Sequence, residues 1–243
     1  MTRVRGRVAI VVVARMSSTR LPGKSLRILG GDTVLGHVLS RASMSREADC
    51  IIVATSSHST DDPISEWCRD REVRCFRGSL ADVALRVLGA AEASGAAGIV
   101  RVSADSPFID PALIDHAVRL FRNQSADLVT NVYPRTFPKG ESVEVIAVDT
   151  LERLLLNGLT PDQQEHVTKV FYDAPERHTI IGFSTADAGG PTVGDHSHVQ
   201  LSIDTDADWA TAVAVSDLLG ETLYSASWLE IEKAWTQVEE GAS

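Results

Sequence analysis

Short apolar runs alternate with helix-spaced apolar residues along the first half of the chain. The run at 8–14, VAIVVVA, is continuous and rich in β-branched residues, which is typical of a parallel strand covered on both faces. Further strands are predicted at 50–54, 73–76 and 98–102. Helices are predicted from Asp32, as N-cap, to Ala42, from Asp62 and Pro63 onward, at 79–93, and from Pro111 to about Phe121. This alternation predicts an α/β fold with a doubly wound, mostly parallel sheet.

The regular alternation of predicted strands and helices ends in the second half of the chain. A loop rich in Pro and Gly is predicted at 133–141, with strands at 128–132, 143–148, 179–183 and 199–203. Helices are predicted at 151–156, 165–172, 209–219 and 227–238. Because no linker, repeat or low-complexity block divides the sequence, we predict one domain over 1–243 with an excursion at about 131–200.

Composition and charge exclude several classes of protein. The 243 residues carry a formal charge of −10, and an acidic surface repels phosphate backbones, which argues against general nucleic-acid binding. The apolar run at 8–14 is too short to span a membrane and lacks a signal-peptide cleavage pattern. Three cysteines without a C-x-x-C pair predict buried thiols in a reducing compartment, and hence a cytoplasmic protein.

Positive charge is concentrated at the start of the chain, where the first 31 residues hold no acid. They contain seven cations: Arg3, Arg5, Arg7, Arg15, Arg20, Lys24 and Arg27. Three of these lie in the segment 14–24, ARMSSTRLPGK, which leaves the first strand and also carries the hydroxyls of Ser17, Ser18 and Thr19. Such a loop can wrap a polyanion, and a triphosphate is the natural ligand; the alternative is a solvated basic turn.

The tail of this loop, TRLPGKS, nearly satisfies the phosphate-binding pattern G-x-x-x-x-G-K-[ST]. Ser18 replaces the first glycine of that pattern, and Pro22 removes a backbone donor. A P-loop is therefore not predicted.

Two carboxylates follow predicted strands at distant points of the sequence. Asp105 comes after the strand at 98–102 and Asp204 after the strand at 199–203, so both can lie at the carboxyl edge of the sheet and share Mg²⁺. Asp110, before Pro111, is explained by helix capping, and Asp206 is most simply an N-cap, although it could replace Asp204 at the metal.

Several motifs together resemble one enzyme family. The segment ARMSSTRLPGK is similar to the A-R-x-x-S-T-R-L-P-G-K signature of the CMP-sugar synthetases, or cytidylyltransferases, of the 3-deoxy-manno-octulosonate, spore-coat-polysaccharide and acylneuraminate type. VRVSADSPFIDP, PRTFPKGESVEV, QEHVT and SIDTDADW resemble further motifs of this family, in the family's order. The family's Gly-Asp is Ala104-Asp105 here, and its closing Thr-Pro is Thr205-Asp206.

The resemblance implies a Rossmann-like fold of the nucleotide-diphospho-sugar transferase (GT-A-like) type, Mg²⁺ as cofactor, and a homodimer. The excursion would serve acceptor binding and dimerisation. The implied catalytic residues are Arg15, Lys24 and Asp105, and the implied metal ligands are Asp105 and Asp204. The implied nucleotide-binding residues are Ala14, Arg15, Ser17, Ser18, Thr19, Arg20, Lys24 and Ser103, and the implied acceptor-binding residues are Arg135, Lys139, Glu165 and His166.

The expected reaction is CTP plus an acidic sugar giving a CMP-sugar and pyrophosphate. Charge builds on the α-phosphate and on the leaving pyrophosphate, so fixed cations and a metal are the main catalytic requirement. Two alternatives stay open: transfer of the same group to a small phosphonate, and a noncatalytic module that senses CTP.

Overall fold

A computed structural model describes residues 6–188 and 194–241. Arg3 and Arg5 of the cationic segment lie outside these residues. The strands are β1 (Val8–Val13), β2 (Ile28–Leu29), β3 (Asp32–Thr33), β4 (Cys50–Ser56), β5 (Cys75–Gly78), β6 (Gly98–Ser103), β7 (Leu128–Thr130), β8 (Glu144–Ala147) and β9 (Ile180–Gly182).

In the described part of the chain, seven of these strands form one sheet in the order β5-β4-β1-β6-β8-β7-β9, while β2 and β3 form a separate antiparallel pair. Strand β1 pairs in parallel with β4 and β6, β4 pairs in parallel with β5, and β7 pairs in parallel with β9. Only β8 runs antiparallel to its neighbours β6 and β7. The predicted mostly parallel α/β sheet is confirmed.

Helices cover both faces of this sheet. They are α1 (Val34–Ala42), α2 (Asp62–Asp70), α3 (Val83–Ser94), α4 (Pro111–Asn123), α5 (Val148–Asn157), α6 (Pro161–Glu165), α7 (Lys169–Asp173), α8 (Asp206–Leu219) and α9 (Trp228–Gly241). One core cluster joins the sheet to α1, α2 and α4, and a second joins it to α3, α5 and α7. A third apolar cluster packs α8 and α9 against the cationic loop and the start of α1.

The pattern of β1 follows from this double cover. Val8, Ile10 and Val12 are buried in the first cluster, whereas Val11 is buried in the second. Neither face of the strand can therefore be polar, which is why the run at 8–14 reads as continuously apolar.

Three local predictions were wrong in detail. The segment 199–203 is extended but forms only an isolated bridge between Gln200 and Lys139, because its backbone bonds to a loop and not to a strand. The predicted helix at 165–172 is broken after Glu165, where His166 leaves the helical region with φ −107° and ψ 78°. The N-cap of α1 is Thr33, whose hydroxyl accepts from the backbone N of Gly36 at 3.0 Å, and not Asp32.

The capping role predicted for Asp110 is confirmed. Asp110 caps α4 by accepting from the backbone N of Ala112 at 2.8 Å. All three cysteines are free; the predicted burial is confirmed for Cys68 and wrong for Cys50 and Cys75, which are half-buried. Within the residues described, no helix combines the length and the apolar character needed to cross a bilayer.

A buried arginine joins the C-terminal region to the rest of the fold. The guanidinium of Arg41 on α1 is inaccessible to solvent and donates to the carbonyls of Ile109, Leu223, Tyr224 and Ala226. Burial lowers the pKa of Arg41, while Glu141 and Asp110 act in the opposite direction. One side chain thus satisfies carbonyls from two distant segments.

Candidate functional site

Two polar cavities lie at the carboxyl ends of β1 and β6, where an open parallel sheet places its ligands. The main cavity has a volume of about 350 Å³ and the side cavity about 290 Å³. They share four lining residues, Arg101, Ser103, Asp105 and Asp204. The two cavities therefore meet at the two carboxylates that the sequence singles out.

The cationic loop folds back on itself beside the main cavity. The carbonyl of Met16 accepts from the backbone N of Ser18 at 2.9 Å and of Gly23 at 3.0 Å. Gly23 has φ +72°, a backbone conformation that favours glycine because it has no Cβ. The backbone N of Met16 is itself fixed by the buried carboxylate of Asp61 at 2.7 Å. The Pro-Gly sequence thus serves to reverse the loop.

The ammonium of Lys24 lies at the centre of the site. Its Nζ donates to Oδ2 of Asp105 at 2.7 Å, to the carbonyl of Ile203 at 2.7 Å and to Oδ1 of Asp204 at 3.0 Å. Three oxygen atoms from two distant segments therefore surround one positive charge, and all three are of the hard type that divalent cations prefer as ligands. The same donors suit a divalent cation such as Mg²⁺.

Backbone contacts explain how Asp204 reaches this point. The backbone N atoms of Leu201 and Ser202 both donate to the carbonyl of Lys139, and the backbone N of Ile203 donates to the carbonyl of Asp105 at 2.9 Å. Gly140 permits this approach, because a Cβ there would lie 2.7 Å from the backbone N of Ser202. The extended segment thus runs beside the end of β6 and delivers Asp204 next to Asp105.

The arginines of the loop are also paired with carboxylates. Arg15 Nη1 lies 2.6 Å from Oε1 of Glu165 at the end of α6, and Arg20 Nη2 lies 3.2 Å from Oδ1 of Asp204. The side chains of Arg15 and Arg20 are 43% and 65% exposed, so water screens both pairs and an anionic ligand can replace the carboxylates at small cost.

The side cavity carries a second group of cations, on Arg101, Arg135 and Lys139. Arg101 donates from Nε and Nη2 to Oε2 of Glu144, at 2.9 and 2.6 Å, and this carboxylate raises the pKa of Arg101. Burial alone would raise the pKa of Glu144, but Arg101 and the hydroxyl of Tyr172, which donates at 2.7 Å, hold it below its ordinary value. The Glu144 carboxylate therefore stays ionised and fixes Arg101.

Arg135 differs from Arg101 because no carboxylate in the described part of the chain forms an ion pair with it. Its Nη1 donates to Oγ of Ser142 at 3.0 Å, and burial lowers the pKa of the guanidinium. A half-buried cation without a counterion is well suited to receive an anionic ligand.

The structure brings most of the predicted site residues together. Ten of them line the main cavity: Arg15, Ser18, Thr19, Arg20, Lys24, Ser103, Asp105, Glu165, His166 and Asp204. Arg135 and Lys139 line the side cavity. Glu165 and His166 thus lie with the loop and not with the other residues predicted to bind an acceptor.

Three predicted residues lie elsewhere. Ala14 is buried in the core and Ser17 is exposed, and neither lines the main cavity. Asp206 is not an N-cap: Thr205 caps α8 by accepting from the backbone N of Asp208, and Asp206 is 85% exposed and pairs with Arg27 at 3.6 Å. Asp204, and not Asp206, is therefore the residue beside Asp105.

Four residues at the site were not predicted from the sequence, namely Asp61, Arg86, Arg101 and Glu144. Arg86 and Arg101 line the main cavity. Each is a lone charge inside an apolar run, VALRVLGAA and GIVRV, and that signal could have identified them. Asp61 and Glu144 carry no comparable signal, because each is one acid among many in the sequence.

Comparison with known proteins gives consistent matches. A family model described as cytidylyltransferase matches residues 9–206. The spore coat polysaccharide biosynthesis protein SpsF of Bacillus subtilis is 32% identical over 219 residues, which is 88% of each chain. A 3-deoxy-manno-octulosonate cytidylyltransferase of Geobacter sulfurreducens is 33% identical over 120 residues, 46% of this chain and 44% of that one. A solved cytidylyltransferase structure from Leptospira borgpetersenii superposes with a TM-score of 0.87 at 29% identity, covering 96% of this chain and 95% of that one.

Proposed function

The chain belongs to the cytidylyltransferase family, as its motifs predict, and we propose that it transfers the CMP group of CTP to a hydroxyl of a small acidic sugar, releasing pyrophosphate. The names of two relatives, in spore coat polysaccharide biosynthesis and in 3-deoxy-manno-octulosonate activation, support an acceptor of the sugar-acid class.

One observation carries this proposal: Asp105 and Asp204 lie where the two polar cavities meet. A transfer reaction needs the α-phosphate of the donor and the hydroxyl of the acceptor to come together in one place. The main cavity with its cationic loop suits the donor, and the side cavity with Arg101, Arg135 and Lys139 suits an anionic acceptor. The junction between them is where the reacting atoms would meet.

The loop residues would bind the triphosphate. Arg15 and Arg20 would exchange their carboxylate partners for phosphate oxygens, each guanidinium contacting two oxygens, and Lys24 would supply a compact point charge. As the bond to pyrophosphate breaks, negative charge grows on these same oxygens, so the three cations stabilise the transition state more than the substrate.

Asp105 and Asp204 fit a Mg²⁺ site. Within residues 6–188 and 194–241, no cluster of three or more His, Cys, Asp or Glu side chains could hold a metal without help. Two carboxylates nevertheless suffice for Mg²⁺, which is usually held by one or two carboxylates together with phosphate oxygens and water. When bound, the metal neutralises charge on the reacting phosphate. Lys24 would have to leave both carboxylates for the ion to bind them.

The side cavity would orient the acceptor. Arg135 would bind the acidic group, with Arg101 held in place by Glu144 and Lys139 adding charge at the exposed rim. The hydroxyls of Ser106, Ser142 and Ser202 also line this cavity and suit a polyhydroxylated acceptor. Because neither Arg135 nor Lys139 forms an ion pair within the described residues, the two cations would also accommodate a dianion, and a small phosphonate is the second candidate acceptor.

The experiment is an assay of pyrophosphate release from CTP with a panel of ulosonic acids and phosphonates, with ATP, GTP and UTP as alternative donors. We expect release only with CTP and an acceptor from one of these two classes. Release with no acceptor of the panel, or a preference for another donor, would reject the proposal. Tight CTP binding without turnover would favour the noncatalytic sensor.

Matched substitutions test the carboxylates in the same assay. Asp105→Asn and Asp204→Asn are expected to slow turnover by about a hundredfold or more, which is typical when a strong electrostatic contribution is lost. Asp206→Asn is the control, since this exposed residue lies two positions from Asp204 and pairs with Arg27 at 3.6 Å, outside both cavities. Equal rates in all three variants would eliminate the paired-carboxylate site.

The homodimer implied by the family stays a prediction, to be checked by light scattering.

A further inference from the structure

One arginine at the main cavity has hydrogen-bonding capacity that the fold does not use. Arg86 lies on α3 and is only 1% exposed. Its Nη1 donates to the carbonyls of Ser79 and Leu80, in the segment just before the helix. Its Nε and Nη2 are buried and have no hydrogen-bond partner in the described part of the chain.

This arrangement is energetically unfavourable in the absence of a ligand. A buried donor without an acceptor loses its hydration and gains nothing in return, and the penalty is larger for a charged group. Burial lowers the pKa of Arg86, and the nearby charge of Arg15 lowers it further, although Asp61 and Glu165 attract the guanidinium from a distance. The role of Nη1 in holding the loop at 79–80 does not explain why the other edge is left free.

The position of Arg86 indicates what the free edge is for. Arg86 and Val83 are the two residues of α3 that line the main cavity, which reaches from this helix to Lys24 and the two carboxylates. If the triphosphate occupies the cationic loop, the rest of the nucleotide must extend into the remainder of this cavity. The nucleoside is therefore the ligand group available to Arg86.

We propose that Arg86 recognises the base of the bound nucleotide, donating from Nε and Nη2 to O2 and N3 of cytosine. This inference rests on the proposed function, because it takes CTP as the ligand of the main cavity. Two donors on one edge of a planar guanidinium match two adjacent acceptors on a base, as in bidentate arginine–guanine pairs. Uracil carries a proton on N3 and offers only O2 on the same edge, so Arg86 would favour CTP over UTP.

The test compares three probes on two variants by calorimetry: CTP, UTP and inorganic triphosphate, which has no base. Arg86→Met removes every donor. Arg86→Lys keeps a positive charge that can still reach the carbonyls of Ser79 and Leu80, but it lacks the two-pronged edge. Leu85→Ala is the control, because Leu85 is a half-exposed neighbour on the same helix.

The wild type is expected to bind CTP more tightly than UTP. Both variants should lose about tenfold to a hundredfold in CTP affinity, the range for one bidentate pair, while UTP weakens less and inorganic triphosphate changes less than twofold. The control should behave as the wild type with all three probes. If Arg86→Met does not fold, as judged by its thermal transition, Arg86→Lys decides the question.

Three results would overturn the inference. They are an unchanged ratio of CTP to UTP affinity in the folded variants, an equal loss of inorganic triphosphate binding, and a wild type that does not distinguish CTP from UTP. Failure of the proposed function looks different, since a wild type that binds no nucleoside triphosphate would reject both ideas together. Normal CTP turnover with an unchanged base preference in the variants would reject the role of Arg86 alone.

Discussion

Replacing Lys24 with methionine should destabilise the protein, because its ammonium holds two carboxylates together. Lys24 Nζ contacts Asp105 at 2.7 Å and Asp204 at 3.0 Å, and the side chain is only 11% exposed. Methionine has a similar length but no charge, so Lys24→Met leaves Asp105 without an ion-pair partner in the described part of the chain, facing Asp204, whose remaining partner is the exposed Arg20 at 3.2 Å.

The size of the effect follows from burial. Removing one partner of a fully buried ion pair costs about 3–5 kcal/mol. Here the carboxylates of Asp105 and Asp204 are 21% and 30% exposed, so water screens part of their repulsion. We expect Lys24→Met to lower the free energy of unfolding by about 2 kcal/mol, more than a surface pair contributes and less than a fully buried one.

Urea denaturation without added divalent cations measures this loss. Lys169→Met is the matched control, because the Lys169 ammonium lies 2.7 Å from Asp173 but the side chain is 39% exposed, so water screens this pair and its loss should destabilise the protein much less than Lys24→Met. Adding Asp105→Asn to Lys24→Met should recover part of the stability, although Asp105→Asn alone should destabilise the wild type. Equal losses in the two lysine variants, or no recovery in the double variant, would refute the convergence of charges at this point.

Three further predictions concern other contacts of the fold. Burial, reinforced by the charge of Asp110, raises the pKa of Glu141 to about 8. Between pH 4.5 and pH 8 the folded state therefore keeps a proton that the unfolded state has lost. The free energy of unfolding should fall by up to about 1.4 kcal/mol for each pH unit as the pH rises through this range. Glu141→Gln should flatten this dependence in urea titrations, and parallel curves would contradict it. Gly23→Ala should weaken CTP binding, because an L-residue in the left-handed region that Gly23 occupies costs about 1 kcal/mol. Gly31→Ala is the control and should leave CTP binding unchanged, since a Cβ on Gly31 would meet no atom within 4 Å. Arg101→Gln should destabilise by about 3 kcal/mol or more by leaving Glu144 buried and unpaired, and adding Glu144→Gln should restore part of that loss in thermal unfolding.

The parts of the fold that depend on repeated local patterns could be predicted from the sequence. The apolar run of β1 and the amphipathic helices gave the parallel sheet, because burial of whole elements leaves a periodic trace. The cationic loop and the pair formed by Asp105 and Asp204 could also be predicted, since the ligand-binding residues of a parallel sheet lie at the carboxyl ends of its strands.

Features that depend on a single long-range contact could not be predicted. The segment 199–203 alternates as a strand should, with Val199, Leu201 and Ile203 buried, yet it bonds to the loop at Lys139. The sequence shows only which residues are buried, and an extended segment buries alternate side chains whether or not a neighbouring strand pairs with it. The unused Nε and Nη2 of Arg86 could not be predicted either, because whether a donor finds an acceptor depends on distances in the folded structure, which the sequence pattern does not show.

The carbonyls bound by Arg41 have a consequence for shortening the chain. Three of them, on Leu223, Tyr224 and Ala226, lie between α8 and α9, within the last two dozen residues. If a protease or a stop codon removed this stretch, the buried Arg41 guanidinium would lose three of its four acceptor carbonyls. The apolar surface of the third cluster would also become exposed. We therefore expect trimming at this end to cause insolubility long before it reaches Asp204, the last residue that lines the two cavities.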